Sequence, residues 1–304
     1  MINFYMFTIN GMISNLIPYL PKALTYQFAK RYVAGTNTNT ALTIVESLNN
    51  DGYYVTIDIL GEHTQEERTA NNISDEYISL YEKINKQNLN CNISIKPTHI
   101  GADISDDIYN KNLERILDAA DKTNNFLRID MESSKYTDIT IKSFRDYRLK
   151  FSNIGTVFQA YLYRTLDDIN NLDHNNLNFR LCKGIYKEQE SISIQDRGKI
   201  NENYLKILRY SFENNIYVGI ATHDPELLES IYNLIDEIKP SETMFEFQVL
   251  YGVPMSCWNK RHLDNGYKVR VYVPFGEDWY KYSIRRLKEN PDIAGYILKN
   301  LFHK

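Results

Sequence analysis

The sequence predicts an α/β protein, and more specifically a distorted (βα)8 TIM-like barrel with an N-terminal helical extension. Short segments rich in β-branched and aromatic residues alternate with longer, charged segments of helical periodicity. This alternation is typical of parallel strands joined by crossover helices. Eight extended segments occur, and that number favours a closed barrel over an open, doubly wound sheet.

The predicted elements follow one another in regular order. Strands are expected at residues 54–60, 92–96, 126–131, 157–162, 179–182, 217–221, 244–249 and 268–273. Helices are expected at residues 75–87, 108–123, 139–151, 166–170, 199–214, 226–238 and 255–263, with further helical stretches at 20–34, 40–49 and 291–304. Because no linker or composition break divides the chain, we expect a helical arm at residues 1–50 and one catalytic barrel domain at residues 51–304.

Composition excludes several classes of function. A net charge of −4 and a pI near 5.9 argue against nucleic acid as the main partner. The three cysteines and six histidines show neither C-x-x-C nor H-x-x-x-H spacing, so no metal site is predicted. The apolar N-terminus lacks the unbroken run of about 20 residues that a membrane span needs, and it lacks the basic start of a secretion signal. A cytoplasmic protein is expected, with the arm as a candidate for peripheral contact with the inner face of the membrane.

An adjacent pair of arginines marks the last predicted helix. A β-branched strand at residues 271–273 is followed by Pro274, which we expect to end it, and the helix begins after Asp278. Arg285 and Arg286 repel each other unless an anion lies near both, and each guanidinium matches a carboxylate. A basic helix surface is the plain alternative. The neighbouring Tyr272 and Tyr282 favour instead a site for a small amphipathic amino acid.

Polar residues stand at the carboxyl ends of nearly every predicted strand, where the active site of such a barrel lies. They are Glu62, Lys96, Asp130, Gln159, Arg180, Lys183, Thr222, His223, Gln248 and Tyr272. Taken singly, Lys96 is also explained as a solvent-facing lysine and Asp130 as a helix cap. Together they indicate a ligand site with several cations and one acid.

Arg180 and Lys183 place two cations at one strand end, followed by Gly184, and so predict an anionic ligand there. Phosphate and the electron-rich edge of a flavin are the two alternatives. No G-x-G-x-x-G motif follows a strand, so a Rossmann-type dinucleotide site is not supported.

Eight sequence segments resemble the proline dehydrogenase family, both its monofunctional bacterial members and the corresponding domain of the bifunctional enzymes. They are VTIDILGEHT (55–64), SIKPTHIG (94–101), RIDMESSKYTD (128–138), FQAYLYRT (158–165), RLCKGIYKE (180–188), ATHD (221–224), FQVLYGV (247–253) and VRVYVPFGEDWYKYSIRRLKEN (269–290). The resemblance covers roughly residues 30–292, and its Y-x-x-R-R-L-x-E-N element is highly specific. It implies a non-covalently bound FAD, oxidation of L-proline to Δ1-pyrroline-5-carboxylate, and a quinone as electron acceptor. The product is then expected to pass to a separate pyrroline-5-carboxylate dehydrogenase.

The resemblance also implies roles for individual residues. Asp130 and Arg180 match catalytic positions, and Glu62 matches a gating acid that pairs with Arg285. The proline carboxylate and ring would contact Lys96, Arg285, Arg286, Tyr272, Tyr282 and Leu250. The FAD would contact Met131, Gln159, Arg180, Lys183, Gly184, Ile185, Thr222 and His223.

Two positions depart from the common pattern of the family. Pro97 follows Lys96 where many relatives read K-L-T-Q-L-G, and Ile185 replaces a common alanine. Both bear on the geometry of the site, and neither removes a polar contact.

Two other functions remain open on the sequence alone. One is a Schiff-base aldolase or lyase that uses Lys183 or Lys96 as its amine. The other is a non-catalytic protein that binds an amino acid or a flavin for regulation.

Overall fold

The strands of this protein close into a parallel barrel. The computed structural model describes residue 26 and residues 29–289, except for the side chains of residues 285 and 287–289. Each strand pairs with its neighbours in sequence, and the last strand returns to the first. The strands are β1 (Tyr54–Ile59), β2 (Cys91–Ile95), β3 (Leu127–Ile129), β4 (Ile154–Gln159), β5 (Asn178–Cys182), β6 (Tyr217–Ala221), β7 (Phe245–Leu250) and β8 (Val269–Phe275). The predicted (βα)8 barrel is therefore confirmed.

Helices precede the barrel and connect its strands. They are α1 (Thr38–Asn50), α2 (Glu67–Lys86), α3 (Asp106–Lys122), α4 (Thr137–Tyr147), α5 (Thr165–Asn170), α6 (Arg197–Glu213), α7 (Pro225–Ile238), α8 (Ser256–Asp264) and α9 (Trp279–Glu289). Short polar side chains fix several of the starts, because Ser105, Asp196 and Asp224 accept backbone N–H groups in the first turns of α3, α6 and α7.

Both ends of β4, the start of α2 and the end of α4, which stops at Tyr147 and not at residue 151, were predicted wrongly by three residues or more. β4 was expected at 157–162 but ends at Gln159, because the chain turns there and Leu162 N donates to Gln159 O at 3.2 Å. α2 begins eight residues before the expected position, at Glu67. Its first turns contain poor helix formers, but Ala70 and Ser74 are fully buried, and tertiary packing outweighs local propensity.

Pro274 does not end β8, contrary to expectation, since the strand continues to Phe275. β7 pairs with β8 only as far as Tyr272, so the proline lies beyond the ladder in which its missing N–H would be needed. On β1, Asp58 is its register partner. Ala34 N donates to Pro274 O at 2.8 Å, so the segment before α1 supplies the backbone donor that β7 does not supply here.

The described part of the N-terminal extension packs against the carboxyl end of the barrel. Residues 29–32 are helical, Arg31 Nε donates to Gly252 O at 3.0 Å, and the rings of Tyr26 and Trp279 lie 5.1 Å apart. The rest of the predicted arm, at residues 1–25 and 27–28, and the helix expected at 291–304 lie outside the described residues. The proposed domain boundary at residue 50 therefore stays a prediction.

The two faces of the strands differ in chemistry. In β1, Val55, Ile57 and Ile59 join the apolar core beneath the helices, whereas Thr56 and Asp58 alternate with them and are buried in polar contacts. Similar polar residues on other strands make a hydrogen-bonded layer that we call the barrel floor. It comprises Thr56, Asn92, Arg128, Asn178, Glu246 and Arg270.

Residues 29–289 contain neither a helix suited to cross a membrane nor a cluster of metal-ligating side chains. No helix there is both long and apolar enough to cross a membrane. No three His, Cys, Asp or Glu side chains in this part of the chain are grouped to hold a metal ion.

His262 on α8 predicts a pH-dependent stability. It is 1% exposed, stacks on Phe247 with ring centroids 3.7 Å apart, and has its Nδ1 atom 2.9 Å from Tyr232 OH. Burial, assisted by the charge of Arg261, lowers the pKa of His262 to about 4. The unfolded chain then binds more protons between about pH 4 and 6.5, so stability falls as the pH drops through that window.

We expect His262 to reduce the free energy of unfolding by about 2 kcal/mol between pH 7 and pH 5. Denaturant unfolding of the parent and of His262→Phe at both pH values measures this, since the variant should lack this part of the pH dependence. Two curves with the same pH dependence would contradict it.

Candidate active site

A cavity of about 450 Å³ opens at the carboxyl ends of the strands, and every strand end contributes to its wall. It contains all the predicted site residues except Arg285, whose side chain lies outside the described part of the chain. These residues are Glu62, Lys96, Asp130, Met131, Gln159, Arg180, Lys183, Gly184, Ile185, Thr222, His223, Leu250, Tyr272, Tyr282 and Arg286. The fold thus brings together side chains that are up to 224 positions apart in sequence, from Glu62 to Arg286.

Asp130, directly after β3, is the acceptor on which the cavity wall converges. Its Oδ1 atom accepts from Ser94 Oγ at 2.5 Å and from Arg180 Nη1 at 2.7 Å. Its Oδ2 atom accepts from Tyr272 OH at 2.9 Å. An acid held by three donors from three other strands is fixed in orientation, so Asp130 is not a helix cap.

Arg180 on β5 is held in the same way. Its Nε atom donates to Gln248 Oε1 at 2.6 Å, its Nη1 atom donates to Asp130, and its Cζ atom lies 5.0 Å from the ring centroid of Tyr272. Its remaining nitrogen, Nη2, is buried and has no hydrogen-bond partner among the described residues. A buried guanidinium donor without a partner is costly, so it indicates a ligand acceptor.

Lys96 forms an ion pair with an acid that the sequence analysis missed. Its Nζ atom lies 2.5 Å from Asp58 Oδ2, and both groups line the cavity. Burial opposes the charge of Lys96, but Asp58 and Asp130 more than offset it and raise the pKa of the lysine. The signal for Asp58 was present, because it follows Thr56 at the two-residue period of inward-facing positions in β1.

Arg286 and Tyr282 bring α9 into the cavity wall. Arg286 is only 7% exposed, and its Cζ atom lies 5.3 Å from the Tyr282 ring centroid. A guanidinium buried beside an aromatic face, at a cavity, is not the basic surface that was the plain alternative.

The residues expected to hold a cofactor lie on β4 and β5 or shortly after β3, β5 and β6. Gln159 Nε2 donates to Met131 O at 3.1 Å and to Glu132 O at 3.2 Å, while its Oε1 atom is buried without a partner in the described part of the chain. Gly184 has φ +111°, and a Cβ there would lie 2.3 Å from the Tyr161 ring. Only glycine fits this turn, which brings bare backbone to the cavity.

His223 is held as a neutral acceptor at the end of β6. Its Nε2 atom accepts from Leu250 N at 2.9 Å, and burial with the nearby charge of Arg286 lowers its pKa to about 4. The proton of the neutral ring is therefore on Nδ1. Thr222 is buried beside it, and its Oγ1 atom accepts from Asp224 N at 3.2 Å.

Lys183 is paired with Asp224, which also caps α7 through Glu226 N at 3.0 Å and accepts from Asn201 Nδ2 at 3.2 Å. The pair joins the loop after β5 to the start of α7. Glu132 is a second acid that the sequence analysis missed, and it lines the cavity while it accepts from Thr98 N and Oγ1 at 2.9 and 2.6 Å.

Sequence comparison decides the family. The family model for proline dehydrogenase matches residues 41–297. The chain is 38% identical to proline dehydrogenase 2 of Bacillus subtilis (strain 168) over 276 residues, which is 91% of each chain. It is 30% identical to the proline dehydrogenase of Deinococcus radiodurans over 94% of this chain and 93% of that protein. The chain belongs to the proline dehydrogenase family.

Comparison with solved structures supports the same assignment. Proline utilization A (PutA) from Bdellovibrio bacteriovorus, inactivated by N-propargylglycine, superposes with a TM-score of 0.81 at 25% identity. The match covers 88% of this chain but only 33% of that one, so this chain spans about a third of the PutA chain. As a proline dehydrogenase, the protein is an oxidoreductase of proline catabolism.

The two departures from the family pattern are accommodated locally. Pro97 occupies the first turn of a short 3₁₀ helix, Pro97–Ile100, where a missing N–H costs nothing. Lys96 before it keeps extended angles, with φ −104° and ψ 131°. Ile185 is 57% exposed, so more than half of its added bulk faces away from the protein.

The Schiff-base alternative is disfavoured by the state of the lysines as well as by the family. An imine-forming lysine must lose its proton, and the two acids beside Lys96 hold it as an ammonium. Lys183 forms an ion pair with Asp224.

The pairing with Asp58 predicts a measurable pKa change at Lys96. In Asp58→Asn the main attraction that offsets burial is lost, so the Lys96 pKa should fall well below that of the parent, in which it is raised. Side-chain ¹⁵Nζ chemical shifts followed against pH measure this. Glu132→Gln is the control, because that acid lies nearby without a bond to Lys96, and equal pKa values in Asp58→Asn and parent would contradict the pairing.

Proposed function

We propose that this protein oxidises L-proline to Δ1-pyrroline-5-carboxylate with a non-covalently bound FAD. One observation carries the proposal: the cavity holds two buried guanidiniums of different kinds, Arg180 within an acid-anchored network and Arg286 against an aromatic ring. Oxidation of a substrate with a carboxylate by an electron-rich cofactor needs one cation that binds the carboxylate and a second cation beside the cofactor. The similarity to proline dehydrogenases supports the assignment of the substrate.

The residues present fit a flavin. The cavity wall includes the buried donor Arg180 Nη2 and the buried acceptor Gln159 Oε1, neither of which has a partner among the described residues, and a proton on Nδ1 of neutral His223. An isoalloxazine edge offers both acceptors and a donor for such groups. In this proposal FAD is held by Met131, Gln159, Arg180, Lys183, Gly184, Ile185, Thr222 and His223. The bound flavin supplies the two-electron acceptor for the reaction.

The residues assigned to proline have two tasks. Arg286, Arg285 and Lys96 bind and orient the carboxylate, and Tyr272, Tyr282 and Leu250 enclose the ring and exclude water. Cations near the carboxylate also disfavour the substrate ammonium, which must lose its proton before the carbon beside it can give up a hydride. Since Asp58 offsets the charge of Lys96, most of this repulsion falls to the arginines.

Asp130 acts in this proposal by holding Arg180 and Tyr272 in register, so that cofactor and ring walls are aligned before the substrate enters. Arg180, as the cation at the cofactor, stabilises the charge that the flavin gains on reduction. Glu62, in the turn after β1, is the gating acid at the cavity.

The electron acceptor, in this proposal, is a membrane quinone, reached by a cytoplasmic enzyme at the inner face of the membrane. The exposed side chain of Ile185 at the cavity supports contact with an apolar acceptor. A separate pyrroline-5-carboxylate dehydrogenase would consume the product.

The visible spectrum of the purified protein tests the proposal. We expect flavin absorption that is bleached by anaerobic L-proline and restored by a quinone. A colourless protein that borohydride traps with its substrate would establish the Schiff-base function instead. Flavin or proline binding without bleaching would establish a regulatory protein.

The substrate clamp is tested by Arg286→Met. We expect the KM for proline to rise about tenfold or more while FAD stays bound, because a charge-assisted pair with the carboxylate is lost. Steady-state kinetics with a measured flavin content check this. Lys260→Met, which removes an exposed cation on α8, serves as the control, and an unchanged KM in Arg286→Met would refute the clamp.

A further inference from the structure

A continuous chain of hydrogen bonds links the barrel floor to Arg180. Arg270 Nε on β8 donates to Glu246 Oε1 at 2.6 Å, and Gln248 Nε2 on β7 donates to the same oxygen at 2.7 Å. Gln248 Oε1 then accepts from Arg180 Nε at 2.6 Å. Glu246 is 1% exposed and Gln248 is 5% exposed, so water does not compete for these bonds.

The chemistry of the chain permits only one orientation of the Gln248 amide. An ionised carboxylate accepts hydrogen bonds and cannot donate, so the amide must turn its NH₂ group to Glu246. A guanidinium donates and cannot accept, so the amide must turn its oxygen to Arg180. A reversed amide would place its NH₂ group against the donors of Arg180 and its oxygen against the acceptor of Glu246. Both contacts are unfavourable, and they are costly in a buried site.

Glu246 stays ionised although it is buried. Burial alone would raise its pKa, but the charge of Arg270 and the hydrogen bonds from Arg270 and Gln248 outweigh burial and lower it. The same layer penalises its cations, since burial and the charge of Arg180 lower the pKa of Arg128 to about 9. Glu246 is thus a fixed anion in the barrel floor, linked through Gln248 to Arg180 in the site.

Gly219 on β6 gives a second, independent sign that the Gln248 amide is held in one place. A Cβ at Gly219 would lie 2.3 Å from Gln248 Nε2 and 2.8 Å from its Cδ atom. Glycine in a strand interior weakens the strand, so its presence here indicates a close approach by a neighbour. Any side chain at this position would displace the amide that supports Arg180.

We propose that Gln248, oriented by Glu246, is a positioning residue for the redox step. The pair fixes the rotation of the Arg180 guanidinium, so that Nη1 stays on Asp130 and Nη2 stays free of protein partners for the cofactor. This inference rests on the proposed function, because it assigns Arg180 to the flavin. It adds Gln248 of the cavity wall and Glu246 of the barrel floor to the residues with a proposed role in the reaction.

The reduction potential of the bound flavin separates this role from a merely structural one. A guanidinium set close to the flavin stabilises its reduced, anionic form, and a displaced guanidinium stabilises it less. The potential should therefore become more negative when the amide is moved. Loss of global stability alone leaves the potential of the remaining folded holoenzyme unchanged.

Two variants move the amide by different routes. Gly219→Ala removes no polar group, and the displaced atoms are the far end of a flexible side chain, so the fold should tolerate it. Gln248→Met keeps the length of the side chain and removes both of its bonds. Thr56→Val is the matched control, because it breaks a buried floor hydrogen bond of 2.5 Å, to Asn92, that does not lead to Arg180.

We expect both variants to bind FAD, to show a more negative flavin potential and to lose about tenfold in kcat, with the KM for proline changed less than about twofold. Thr56→Val should retain the potential and kcat of the parent even where its thermal stability falls. If the parent binds flavin and is active, and both amide variants nevertheless keep its flavin potential and kcat, the proposed role of Gln248 is overturned. A parent that binds no flavin, or whose flavin proline does not reduce, would instead contradict the proposed function.

Discussion

The ion pair between Asp130 and Arg180, whose side chains are only 13% and 9% exposed, is the interaction on which the site depends. Asp130 fixes Arg180 and Tyr272 from one carboxylate, and Arg180 connects β5 to β3 and β7. Removing one member of a buried pair typically costs about 3–5 kcal/mol, because the other charge is left without a partner. The site is therefore preorganised, since its donors are oriented by the protein before a ligand arrives.

A polar barrel interior makes this preorganisation possible. Many barrels fill the interior with branched apolar layers, whereas here the buried Arg128 and Glu246 lie near the partly buried Arg270 below the cavity. Strand glycines give these groups room. A Cβ at Gly155 would lie 2.7 Å from Arg128 Nη1, as one at Gly219 would meet the amide of Gln248. The floor thus trades apolar packing for a rigid set of charges under the site.

The sequence predicted the barrel and the strand-end residues because both follow from local patterns. Alternation with helices identified every strand, and position at or just after the carboxyl end of a strand identified Asp130, Arg180 and His223. The floor residues were not predicted, although the same two-residue period of inward-facing positions marks them. Arg128 precedes Asp130 by two residues, and Glu246 precedes Gln248 in the same way. The two-residue period, extended backwards from the end of each strand, predicts that Arg128 and Glu246 also face inward.

Pairings between strands could not be predicted in the same way. The bond from Arg180 to Gln248 joins residues 68 positions apart, and it depends on strand register and on rotamers that no local pattern encodes. The partner of Lys96 is a similar case. The lysine was expected to serve the substrate carboxylate alone, and its bond to Asp58 appears only when β1 and β2 are placed side by side.

A crystal structure of the FAD-loaded protein with a cyclic carboxylic acid that lacks the amine tests the central claim most directly. The account predicts the isoalloxazine against Arg180 and Gln159, with the acid group of the ligand on Arg286 and its ring between Tyr272 and Tyr282. A flavin bound without contact to Arg180, or a carboxylate bound away from Arg286, would contradict it.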